Sequence, residues 1–126
     1  MRIIKIRFYI SSTTITMDKL SKMIGIEPCY YCTKFHEGAI AKPYWCTEIV
    51  SDALCIEEPL AMLKERIVPR LEEIAVLCKE NLIKTSFEIL VQADYAERPE
   101  ITLPPEFFPL FEQLNAELNF DIAYEC

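Results

Sequence analysis

The hydrophobic period of this chain switches from two to about 3.6 and back. Ile4, Ile6, Phe8 and Ile10 alternate with Lys5, Arg7 and Tyr9. A period of two sends successive side chains to opposite faces, which predicts a half-buried strand. Near the other end, Leu118, Phe120, Ile122 and Tyr124 alternate with Asn119, Asp121, Ala123 and Glu125 and predict another. Between them, Leu60, Leu63, Ile67, Leu71, Ile74 and Cys78 recur at steps of three and four, the signature of a helix with one apolar side. A chain with strands outside and a helix inside must pack helices against a sheet.

The intervening segments are read the same way. Ser11 to Thr14 form a polar turn, and Thr16 is placed as a helix N-cap with Asp18 in the first turn. Ile15 and Leu20 suit a hydrophobic staple, and Leu20, Met23 and Ile24 supply the apolar side. Gly25 suits the left-handed residue that stops the helix. Tyr44 to Val50 read as a strand with Trp45, Thr47 and Ile49 on one face. Pro59 suits the first turn of the long helix, and Asn81 can end it. Pro69 lies inside that helix, where it removes a hydrogen bond and clashes with the preceding turn, so a kink or two abutting helices are expected.

Ile83 to Gln92 read as a strand with Phe87, Ile89 and Val91 inward, then a charged loop or hairpin at 94–100 and a short edge strand at Ile101 to Leu103. Pro104 and Pro105 open a last helix with Phe107, Leu110, Phe111 and Leu114 on its core side. The expected fold is α+β and ferredoxin-like. Two degenerate strand–helix–strand units, joined by the long helix, would form a mainly antiparallel sheet with helices on one face. The other face would carry Lys5, Arg7, Asp121 and Glu125, in ion pairs if the first and last strands are neighbours. Residues 1–126 are read as one domain, since a chain of this size buries roughly two-thirds of its unfolded surface.

Composition limits the function classes. The net charge of −7 opposes nucleic-acid binding. Residues 1–42 carry seven Lys or Arg and three Asp or Glu, whereas 43–126 carry six and seventeen. Such an acidic excess can steer a basic partner. No apolar run reaches the roughly 18–20 residues of a membrane span. Lys5 and Arg7 interrupt any signal-peptide core, so a cytoplasmic location is expected. The six cysteines are accordingly read as thiols.

Cys29-x-x-Cys32-x-x-x-His36, with Cys46 further on, is the one metal-like spacing. Zinc needs four such donors in tetrahedral array. Tyr30 and Tyr31 replace the usual turn residues, Cys46 falls in a predicted strand, and no second Cys pair follows, so no metal or other cofactor is assigned. Two glycines cannot build a phosphate-cradling loop or a nucleophile elbow, and the lone His36 has only sequence neighbours as orienting carboxylates. No catalytic residue is assigned. Tyr44 and Trp45, beside the irregular segment 27–43 with its Lys34 and His36, form the candidate contact site.

Phe8 and Ser11, the run Ile24-Gly25-Ile26-Glu27-Pro28, Gly38, Trp45, the leucines of the long helix and the closing Asp121-Ile122-Ala123-Tyr124 together resemble the bacterial family known as domain of unknown function 4279. The resemblance spans nearly the whole chain. It implies a small bacterial stand-alone domain and brings no activity with it. The leading expectation is a non-enzymatic domain that binds a protein, by an exposed sheet face or by the 27–45 segment. An immunity protein against a basic toxin is its specific version. The alternatives are a small-molecule binder or weak enzyme with a pocket at 27–45, and a self-associating structural domain.

Overall fold

The structure, a computed structural model, describes residues 1–29, 33–34, 42–43 and 45–126. Strand β1 (Arg2–Ser11) is followed by α1 (Met17–Ile24), the two-residue strands β2 (Thr33–Lys34) and β3 (Lys42–Pro43), and β4 (Trp45–Ser51). Then come α2 (Glu57–Ile67), α3 (Leu71–Lys79), β5 (Lys84–Asp94), α4 (Phe108–Leu114) and β6 (Glu117–Glu125).

The local signals act where the sequence puts them. The Thr16 hydroxyl accepts from the Lys19 N–H at 3.3 Å, and Gly25 ends α1 at φ 71°. The turn Val68–Arg70, in 3-10 conformation around Pro69, separates α2 from α3. Asn81 and Asn115 take left-handed conformations just beyond α3 and at the end of α4. Met23, expected on the apolar side of α1, is instead exposed, because Leu20 and Ile24, with the partly buried Met17, fill that contact. The expected strand at 101–103 is reduced to a single bridge between Cys55 and Glu100.

The sheet has four strands in the order β4-β1-β5-β6. β1 pairs antiparallel with both β4 and β5, while β5 and β6 run parallel. The sheet is therefore mixed, and the α+β class stands. The finer ferredoxin-like arrangement is not found in this order. The two strand–helix–strand segments differ, since β1 and β4 are antiparallel neighbours whereas β5 and β6 are parallel neighbours. Nor are the first and last strands adjacent. Lys5 and Asp121 each lie opposite Leu90, so β5 separates them, and the conditional Lys5 and Arg7 pairs with Asp121 and Glu125 do not form.

The core lies between the helices and one face of the sheet. Ile4, Ile6, Phe8 and Ile10 of β1 and Phe87, Ile89 and Val91 of β5 pack there against Leu60, Leu63, Ile67 and Ile74. Each such side chain contributes about 1.5–3 kcal/mol when fully buried, against about 0.2–1 kcal/mol for a cross-strand charge pair, so this face sets the register. Among the described residues, no helix is long and apolar enough to cross a membrane.

Candidate functional site

The four sequence candidates are not brought together within the described residues. Trp45, the first residue of β4, is 0% exposed and stands edge-on to Phe8, with ring centroids 6.2 Å apart. Its indole Nε1–H has no partner among the described residues. Lys34 lies in β2, opposite Lys42 of β3. His36 and Tyr44 lie outside the described residues, as does Cys32.

Cys46 corrects the reading of the cysteines as thiols. It is disulfide-bonded, with its partner outside the described residues, whereas Cys29, Cys55, Cys78 and Cys126 are free. Tertiary placement explains the difference. Cys46 is fully buried beside Tyr9, and the 27–29 segment folds back so that the Cys29 N–H donates to the Cys46 carbonyl at 2.6 Å. A cysteine engaged in that bond is not a free zinc ligand. Among the described residues, no group of three or more His, Cys, Asp or Glu has the arrangement of a metal site.

The face of the sheet turned away from the helices holds a charge network at one end. Arg7 of β1 lies opposite Glu48 of β4 and Glu88 of β5. Its Nε donates to Glu48 at 2.5 Å and its Nη1 to the Tyr9 hydroxyl at 3.3 Å. Partial burial disfavours the guanidinium charge, but the bonds to Glu48 and Tyr9 outweigh it and leave Arg7 more basic than usual. Burial pushes the Tyr9 phenol up, against the opposing bond from Arg7. Beyond this network lies a shallow cavity of about 170 Å³ between Lys5, Leu90, Gln92 and Asp121.

Strand β6 differs from the other three. Its parallel register sets Phe120, Ile122 and Tyr124 beside Ile89, Val91 and Ala93. The β5 residues are 0%, 2% and 0% exposed, whereas those of β6 are 46%, 42% and 37% exposed. The helices thus cover β5 and stop short of the outer strand. β6 is also the end of the sheet, and among the described residues nothing pairs with its outer edge. Its other side carries Glu117, Asp121 and Glu125, all exposed and none in an ion pair among the described residues. An unpaired edge is a row of unsatisfied N–H and C=O groups, chemically a template for another strand.

The alternation of β6 was visible in the sequence, but its exposure was not. Period two says that a strand has two faces; only the strand order says that this one stands outermost.

The profile of the domain of unknown function DUF4279 matches residues 2–125, and the chain belongs to that family. No curated protein and no solved structure matches it.

Proposed function

We propose that this chain is a protein-binding domain that acts by contact rather than by catalysis. The observation that carries this reading is β6, a nine-residue edge strand with a row of half-exposed apolar side chains and no Pro, Lys or Arg to blunt it. Natural sheets protect such edges by shortness, charged side chains, proline or a covering element, and the charges of β6 lie on one face only, with the apolar row on the other. A long, apolar and uncovered edge is suited to a partner. The acidic excess of the chain favours a basic one, which is the chemistry of an immunity protein facing a basic toxin. A toxin gene beside this chain's own gene would support that version.

The test is affinity capture from the native host at low salt, comparing the wild type with the double variant Phe120→Lys/Ile122→Lys. The reading expects a stoichiometric protein partner that the wild type retains and the variant loses. Absence of any stable partner contradicts it.

A small-molecule site at 27–45 is the second reading, favoured by the Trp45 Nε1–H, which has no partner among the described residues. Complete burial of the ring weakens it. Self-association through β6 is opposed by the charge of that strand.

A further inference from the structure

We infer that β6 accepts, as a fifth strand of the sheet, an extended segment of another protein in which apolar residues alternate with polar ones and every fourth residue is Lys or Arg. This rests on the protein-binding reading and specifies its partner. Three properties of β6 favour this partner. The outer edge of β6 offers backbone groups with no partner among the described residues. Its helix-side row, Phe120, Ile122 and Tyr124, offers apolar surface that an added strand would cover. Its opposite row places Glu117, Asp121 and Glu125 four residues apart on one face. At a rise of about 3.3 Å per residue, successive carboxylates lie about 13 Å apart along the strand. A cation at every fourth position of an added strand meets that spacing, and the residues two places away from each cation face Asn119 and Ala123.

The same charges disfavour a second copy of this chain in three of the five registers centred on residues 119–123. Antiparallel pairing of two β6 strands about Asp121, with the helices on one side of the joined sheet, sets Asp121 against Asp121 and Glu117 against Glu125. Centring on Asn119 sets Glu117 against Asp121, and centring on Ala123 sets Asp121 against Glu125, whereas centring on Phe120 or Ile122 sets Asp121 against Asn119 or Ala123. Like charges directly opposite destabilise a strand pair. Among the described residues no acidic side chain of β6 is in an ion pair: Lys84 stands diagonal to Glu117, Lys5 lies across β5 from Asp121, and Arg7 is held by Glu48. The acidic row thus favours a basic strand over a second copy of itself.

The experiment uses two labelled peptides, TVKVTVKVT and TVEVTVEVT, titrated into the protein at low salt with amide chemical shifts recorded. The lysine peptide is expected to bind, with the largest shifts in β6 and β5, and the glutamate peptide to bind at least about tenfold more weakly, the result of several unfavourable cross-strand pairs. The variant Asp121→Lys/Glu125→Lys changes only exposed side chains and is expected to reverse the preference. Shifts away from β6, binding of neither peptide, or a preference that the variant leaves unchanged would overturn the inference. The protein-binding reading would survive that failure if host capture still yields a partner, so the two can fail separately.

Discussion

Val91 and Ile122 sit side by side across the parallel β5–β6 ladder, yet Val91 is 2% exposed and Ile122 is 42% exposed. One step across the sheet passes from core to surface. The boundary of the helix layer falls between these two strands, leaving β6 half outside. An apolar strand in that position retains apolar area that only a further layer or a further strand can remove from water.

Trp45 tests where the core ends on the opposite edge. It is the only tryptophan, fully buried against Phe8. Native fluorescence is expected to be blue-shifted and protected from acrylamide. Trp45→Ala should cost about 3–5 kcal/mol in denaturant unfolding. Trp45→Phe should cost clearly less, because it removes, along with some packing, an Nε1–H that has no partner among the described residues. Red-shifted, readily quenched emission would place the ring at a surface instead.

Gly25 and Arg70 couple α1 to the turn between α2 and α3. Gly25 has φ +71°, and a Cβ built there would stand 3.0 Å from Arg70 Nη2. Gly25→Ala is expected to destabilise the fold by about 1–2 kcal/mol from the left-handed backbone alone. The guanidinium can shift, so Arg70→Ala should recover only a small part of that loss. Recovery of the whole loss in the double variant would assign it to the contact and not to the backbone.

Much of this was local and therefore legible. Thr16, Gly25 and Pro69 act within a turn of themselves, and the alternation in β1 and β5 is a property of neighbouring residues. Placement of β5 between β1 and β6 depends on which edge a strand joins, and no short window of sequence carries that. The same gap hid the exposure of Phe120. Cys46 is a further case, since its neighbours Trp45 and Thr47 describe only a strand and carry no signal of a disulfide. Of the candidate residues Lys34, His36, Tyr44 and Trp45, only Trp45 has a described side chain, and it belongs to the core.

Tyr9 gives a pH dependence with a definite sign. Burial raises its phenol above the ordinary value of 10.0, with the Arg7 bond opposing. The folded state therefore holds the proton more tightly than the unfolded one. Its contribution is complete below about pH 10 and declines as pH rises through the folded value. Cys78, raised from 9.0 by burial, acts in the same direction. Tyr9→Phe should make alkaline unfolding shallower than in the wild type, as read by denaturant midpoints across pH 8.5–11 (roughly the span of both groups). Identical profiles would contradict the raised phenol.

The cysteines give a count. With Cys46 in a disulfide and four others free, the oxidised chain should present four reactive thiols when denatured without reductant and six after reduction. Six thiols before reduction would contradict the disulfide.

The central claim concerns the outer edge of β6, and hydrogen exchange of the protein with its captured partner tests it most directly. Outward amides of Glu117–Glu125 have no partner among the described residues. They should exchange fast in the free chain and become protected at alternate positions when the partner is bound, a pattern that an added strand produces and a face-on contact does not. Protection confined to β4 or to the 27–29 segment, with β6 exchanging as in the free chain, would contradict the account.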